Sequence, residues 1–288
     1  MQQLGIIGQG FVGSAIREGM QHVFDVIAFD KDPKKYSNAN SIFEVVESTD
    51  MTFVCVPTPM KHSGECDLSI LNNALSEISE CAKSLRKTDY IVVIKSTIPP
   101  GTTVELNKIY KNLSIVFNPE FLTEANAVDD YRNQNRIIIG GERPGTTLVR
   151  QMFSKAFPKV PIIKTSSTIA EMIKYVTNTF LATKVSFANE MFEICQKLDI
   201  DYDKVIEYAR YDERLGNSHW SVPGPDGHMG WGLSCFPKDL NALMHLAKQH
   251  NVDATMLEAT WKKNLLVRPE CDWILDKGRA VSDNYGLE

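Results

Sequence analysis

Apolar runs of three to six residues, separated by longer amphipathic stretches, fill the first half of the chain. Residues 4–7, 26–29, 52–56, 90–94, 114–117, 136–141 and 161–163 each read as a strand. Residues 68–85 read as a helix among them, and residues 11–20 as another. This alternation predicts a mainly parallel sheet covered by helices on both faces. The pattern then changes. From residue 167 to 198 no glycine or proline interrupts a periodic run that includes Ile169, Met172, Val176, Phe180, Phe187 and Ile194. It predicts one helix of about 30 residues, spanning about 45 Å. Such a helix suits a spine joining two domains and a surface for a homodimer. Further helices are expected at 201–211, 237–250 and 253–266, with a turn or short helix at 269–275. A loop rich in Gly, Pro, His and Trp runs from 212 to 234, a length that is commonly functional inside a domain.

The first predicted strand runs into Gly8-Gln9-Gly10-Phe11-Val12-Gly13, and the second ends at Asp30, 17 residues after Gly13. Strand, G-x-G-x-x-G, helix, strand, acid is the order of a dinucleotide site. Gly8 permits the tight turn, Gly10 lets the backbone approach a pyrophosphate, and Gly13 lets helix and strand pack closely. Phe11 and Val12 open the helix whose N–H groups meet the phosphates. Asp30 suits two ribose hydroxyls and would repel a 2′-phosphate, which favours NAD over NADP. The expected fold is therefore α/β: a Rossmann-type doubly wound sheet over residues 1–165, then an all-helical domain on the long helix over 166–288. In such sheets ligands bind beyond the carboxyl ends of the strands. Thr58, Ser96, Thr97, Glu120 and Glu124 fall there.

Composition and charge narrow the partners. A net charge of −5 argues against a general nucleic-acid or anionic-membrane surface. Six scattered cysteines without a C-x-x-C pair suggest free thiols in a reducing compartment, and no apolar stretch approaches a membrane span. A cytoplasmic, unanchored protein is expected, with no metal site. On the long helix, Lys174 and Asn178 lie four apart and face the same way, beside Ile173, Thr177 and Leu181. Those neighbours suggest a semi-buried polar stripe. In Gly230-Trp231-Gly232-Leu233-Ser234-Cys235-Phe236-Pro237-Lys238-Asp239 a glycine turn delivers a cysteine to a helix start marked by Pro237. A helix N-terminus favours thiolate over thiol.

These stretches, with Cys55-Val56-Pro57-Thr58-Pro59, Lys95-Ser96-Thr97-Ile98-Pro99-Pro100-Gly101 and Asn118-Pro119-Glu120-Phe121-Leu122-Thr123-Glu124, occur in an order that resembles the UDP-glucose/GDP-mannose dehydrogenase family, most nearly its UDP-glucose-oxidising members. The resemblance covers about residues 1–268. It implies NAD-dependent, four-electron oxidation of a nucleotide-sugar primary alcohol to the uronic acid. Cys235 would capture the aldehyde as a thiohemiacetal, which is oxidised to a thioester and hydrolysed. Lys174 would stabilise the oxyanion with Asn178 as partner, and Asp239 would orient or deprotonate the attacking group. Glu120 would activate the hydrolytic water and Thr97 would hold a water nearby. Thr58, Ser96 and Glu124 belong to the NAD side. Phe121, Leu122, Gly230 and Gly232 would wrap the sugar, and Arg214 would reach the substrate, either within its own chain or across a dimer.

Two departures stand out. Leu233 replaces a second glycine beside the sugar, so the loop's backbone or pocket must differ. Family members also continue into a second nucleotide-fold domain that grips the uridine diphosphate, and this sequence ends at Glu288 without one. Other readings therefore stay open: the same chemistry on another sugar, a two-electron 3-hydroxy acid-type oxidation, or an NAD-binding remnant without turnover. Cys235 speaks against the two-electron reading, because a single oxidation needs no nucleophile.

Overall fold

The structure, a computed structural model, describes residues 3–286. Seven strands form one sheet: β1 (Gln3–Ile7), β2 (Asp25–Phe29), β3 (Met51–Val54), β4 (Tyr90–Ile94), β5 (Leu113–Phe117), β6 (Ile137–Gly140) and β7 (Ile162–Thr165). Their order is β2-β1-β3-β4-β5-β6-β7. Neighbours are parallel except β5 and β6, which meet antiparallel with Phe117 opposite Gly140. Helices α1 (Phe11–Met20), α2 (Ile42–Ser48), α3 (Ser69–Ser84), α4 (Thr102–Ile109), α5 (Ala127–Arg132) and α6 (Gly145–Ala156) connect them. The chain continues in α7 (Ser167–Lys197), α8 (Tyr202–Ala209), α9 (Cys235–Gln249) and α10 (Thr255–Val267), with 3₁₀ turns at Glu213–Leu215 and Asp272–Leu275.

The chain divides into two compact units: Met1–Thr58 with Leu68–Lys174, and Pro59–Asp67 with Tyr175–Glu288. In the first, alternate residues of strands β1 to β6 feed two apolar layers, one per sheet face. Ile7, Val54, Val92, Ile94, Ile115 and Phe117 pack under α2 to α4. Leu4, Ile6, Phe53, Ile91, Val93 and Val116 pack under α1, α5 and α6. Side chains that alternate faces and are apolar on both produce the unbroken runs read in the sequence.

The register brings the strand ends level. Ile7 pairs with Phe29 and Val54, Val54 with Ile94, and Ile94 with Phe117. One residue further on the ladder continues: the N–H groups of Gly8, Cys55, Lys95 and Asn118 donate to the carbonyls of Phe29, Ile7, Val54 and Ile94 at 2.8–3.0 Å. Four loops therefore leave the sheet side by side at its carboxyl edge.

In the second unit, the 59–67 excursion joins the C-terminal residues: Met60 bridges Cys66 and Val281 and packs with Trp273 and Ala280. A separate core of Ala182, Val185, Trp231 and Leu240 sits between α7, α9 and the glycine-rich turn. Among the described residues no helix is long and apolar enough to cross a membrane.

Candidate active site

The glycine loop has the geometry its motif demands. Gly8 has φ +91°, and a Cβ there would lie 2.6 Å from the Cys55 carbonyl oxygen. A Cβ on Gly13 would lie 1.9 Å from the Gly8 oxygen, whereas one on Gly10 would meet no protein atom within 4 Å. Gly10 thus guards space that the protein leaves open, at the N-cap of α1, where Phe11 and Val12 begin the helix and pack onto the apolar layer beneath. Asp30 is tied to this loop: its Oδ2 accepts from the Gln9 N–H at 2.6 Å and its Oδ1 from the Asp32 N–H at 2.8 Å. Open backbone at a helix start beside a fixed carboxylate fits the pyrophosphate and ribose of NAD. Gly10 has φ −67°, which any residue adopts. We therefore expect Gly10→Val to fold as stably as the wild type but to bind NAD at least about tenfold more weakly, about 1.4 kcal/mol. Parallel thermal melts and NADH fluorescence titrations check both halves.

The remaining carboxyl-edge loops hold a buried ionic cluster. Thr58 donates through Oγ1 to the Thr97 carbonyl at 2.7 Å, and Ser96 donates to the Val56 carbonyl, so the loops after β3 and β4 are laced together. After β5, Lys174 Nζ donates to Glu120 Oε1 at 2.8 Å and to the Glu120 carbonyl at 2.7 Å. The Leu122 N–H donates to Glu120 Oε2 at 2.7 Å. Both side chains are buried: Lys174 is 2% and Glu120 7% exposed. Burial alone would push the Glu120 carboxyl up; the charge and hydrogen bond of Lys174, the Leu122 N–H and the charge of Lys95 outweigh it and hold it below the usual range. Phe121 is half-buried, its ring centroid 5.6 Å from Lys174 Nζ and 4.2 Å from the Arg136 guanidinium carbon. Thr97 is buried, Leu122 half-buried and Glu124 exposed. One turn before Lys174, the buried Glu171 accepts from the N–H groups of Gly101 and Thr103 at 2.6 and 2.9 Å, which caps α4 and fixes the start of α7.

In the second unit Cys235 is the first residue of α9, two residues earlier than Pro237 suggested, so the thiol does sit at a helix N-terminus. Asn178 Nδ2 donates to Asp239 Oδ2 at 2.6 Å, and Lys238 Nζ donates to Asp239 Oδ1. Asp239 is 1% exposed, and both its oxygens are engaged. Burial works against the charge of Lys238, but Asp239 first and then Cys235 hold its pKa above the ordinary value. Lys238 is thus a cation three residues after the thiol that motif reading passed over, although it stands inside the Cys235-Phe236-Pro237-Lys238-Asp239 stretch.

The glycine-rich turn is pinned. The Gly230 N–H donates to Asn189 Oδ1 at 3.0 Å, and Trp231 exchanges two bonds of 2.8 Å with the Asn264 amide. A Cβ on Gly230 would lie 2.4 Å from Asn264 Oδ1, and one on Gly232 2.3 Å from Asp272 Oδ1. These glycines are needed where buried polar side chains press on the backbone. Arg268, 2% exposed, grips Asp226 and Asp272 at 2.7 Å, and Asp272 Oδ2 accepts from the Leu233 N–H at 3.1 Å. Leu233 itself has φ +58°. The backbone takes the left-handed turn that glycine favours, so the departure lies in the half-exposed leucine side chain. Left-handed strain in a non-glycine residue costs about 1–2 kcal/mol. We expect Leu233→Gly to gain roughly 0.5–1 kcal/mol in urea denaturation, after the added unfolded-state entropy of glycine. Arg214 is 88% exposed along its side chain and forms a bidentate pair with Asp212.

Comparison with known proteins fits this arrangement. Residues 34–157 match the family model of the UDP-glucose/GDP-mannose dehydrogenase NAD binding domain, and residues 168–265 match that family's central domain. The chain is 34% identical over 245 residues to a UDP-glucose 6-dehydrogenase of Rickettsia prowazekii, covering 83% of this chain and 54% of the relative. It is 32% identical to the UDP-glucose 6-dehydrogenase AglM of Haloferax volcanii, covering 89% and 68%. A solved UDP-glucose dehydrogenase of Pyrobaculum islandicum superposes with a TM-score of 0.84 at 27% identity, over 92% of this chain and 68% of that one. The chain spans about half the length of the rickettsial relative. With both domains matched and the relative from Haloferax volcanii covered over two thirds of its length, the chain belongs to the UDP-glucose/GDP-mannose dehydrogenase family.

Proposed function

We propose that this protein is an NAD-dependent dehydrogenase that oxidises the C6 alcohol of a nucleotide sugar, UDP-glucose first among candidates, by four electrons to the uronic acid. The observation that carries this reading is a thiol at the start of a helix that carries the Lys238–Asp239 pair, in a chain that also holds a buried lysine–glutamate pair. An alcohol-to-carbonyl oxidation needs only the second of these. NAD⁺, when bound, supplies the hydride acceptor for each of two oxidations. Lys174 stabilises negative charge on the C6 oxygen. Asn178 and Lys238 fix Asp239, and Lys238 favours the Cys235 thiolate. The thiolate attacks the aldehyde carbon to form a C–S bond, so the second oxidation leaves a thioester. Glu120 takes a proton from water as water attacks the thioester, and the C–S bond breaks to release the carboxylate and the thiol.

The exposed apolar residues Ile169, Met172, Val176, Phe180, Phe187 and Ile194 recur along α7 at steps of three, four or seven. They form one stripe on the helix, which supports a homodimer through α7; a monomeric sedimentation mass would count against it. The six free cysteines support a reducing, cytoplasmic location. The substrate assignment is tested by NADH formation with a panel of UDP- and GDP-sugars. UDP-glucose is expected to give the highest kcat/KM, and a higher value for another sugar would move the assignment.

A further inference from the structure

Lys95 has no task in the reading above, yet it is 4% exposed and sits where β4 ends. Its Nζ donates to Asn118 Oδ1 at 2.8 Å and lies 3.4 Å from the Pro119 carbonyl. Asn118 is itself fixed, through Nδ2, to the Ile138 carbonyl at 2.6 Å. The titratable groups that face Lys95 are Cys55, Glu120 and Lys174. Burial pushes the Cys55 thiol up to about 12, so it is neutral. The cluster thus holds two lysines for one carboxylate, and Lys174 is the one in direct contact with that carboxylate.

We propose that Lys95 is a positioning residue for Glu120: it clamps Asn118 and Pro119, the two residues leading into Glu120, and supplies a second buried positive charge that keeps the Glu120 carboxylate ionised. The proposal rests on the roles given to Glu120 and Lys174 above. A buried lysine with no carboxylate in contact is costly to hold charged. Burial accordingly pushes Lys95 down to about 8, with Cys55 and Glu120 pulling it back up and Lys174 lowering it further. The second charge is therefore present at neutral pH and is lost as the pH rises through about 8.

Two variants separate the clamp from the charge. Lys95→Gln keeps a donor toward Asn118 without the charge, and Lys95→Arg keeps the charge across the working pH range. Glutamate labelled with ¹³C at Cδ, with the Glu120 signal identified by its loss in Glu120→Gln, reports the Glu120 titration without reference to turnover. In Lys95→Gln the midpoint should rise by about one pH unit, a tenfold gain in proton affinity, while Lys95→Arg stays at the wild-type value. An unchanged midpoint in folded Lys95→Gln overturns the proposal. Activity gives a second arm: the acid limb of the rate that reports Glu120 should move up by about one pH unit in Lys95→Gln and stay in place in Lys95→Arg. If Lys95→Gln does not fold, the reciprocal titration decides: the ¹⁵N-labelled Lys95 Nζ midpoint, near 8 in the wild type, should fall in Glu120→Gln, and an unmoved midpoint overturns the proposal. Should the wild type prove inactive on every sugar nucleotide, the functional reading fails while the Glu120 titration still decides the role of Lys95.

Discussion

Cys235→Ser is expected to abolish uronic acid formation, by on the order of 10³-fold or more, about 4 kcal/mol in barrier, while still passing sugar to the aldehyde level. The reason lies in the surroundings of the thiol. Cys235 begins α9 and interacts with Lys238, a setting that suits an anionic sulfur. A serine hydroxyl there would need a base to become a nucleophile. Without a sulfur adduct, the aldehyde lacks the oxygen-bearing tetrahedral carbon from which a second hydride can leave. Single-turnover mixing with NAD⁺ in excess, with trapping of carbonyl by a hydroxylamine, should reveal aldehyde in the variant and uronate in the wild type. Uronate at the wild-type rate would remove the covalent step from the account.

Lys174→Met is expected to lower kcat by about 10²–10³-fold and, separately, to destabilise the fold by about 3–5 kcal/mol. The two losses have different origins. Activity falls because the charge opposing the C6 oxygen is gone. Stability falls because Glu120 is left buried without its principal partner. The pH dependence separates them. In the wild type the Glu120 pKa is depressed, so its contribution is present above the unfolded value and is lost as pH falls through the folded value. In the variant, burial dominates and the Glu120 pKa moves up, so ionisation opposes folding. The Tm gap between wild type and Lys174→Met should therefore widen from pH 4 to pH 7. The double variant Lys174→Met with Glu120→Leu should recover most of the stability and none of the activity. Recovery of activity in the double variant would show that Lys174 acts only by neutralising Glu120.

The legible parts of this molecule were those encoded over short distances. Buried strands such as Tyr90–Ile94 are apolar at every position because both sheet faces are covered. The expected helix at 167–198 is α7, Ser167–Lys197, since nothing in that run breaks a helix. Lys174 and Asn178 were legible as a stripe because apolar neighbours flank them. Their partners were not legible from local pattern. Glu120 lies 54 residues before Lys174, and Asp239 lies 61 residues after Asn178. Only the fold brings such pairs into contact, and the family resemblance named the residues without the bonds. Leu233 hid its left-handed turn, because leucine carries no signal for positive φ. Lys95 escaped for another reason. A lysine next to Ser96 and Thr97 reads as a solvated turn residue until burial is known. The 59–67 excursion likewise joins the second unit through Met60 pairing with Val281, a contact with no local trace in the sequence.

The central claim is that one protein carries an alcohol through two oxidations. Its most direct measurement is the amount of NADH formed per sugar consumed, with the product identified by mass. UDP-glucose, or the best sugar in the panel, should give two NADH per sugar and the uronic acid, with no free aldehyde accumulating in the wild type. One NADH per sugar with a stable carbonyl product would contradict the claim and leave Cys235 without a catalytic task.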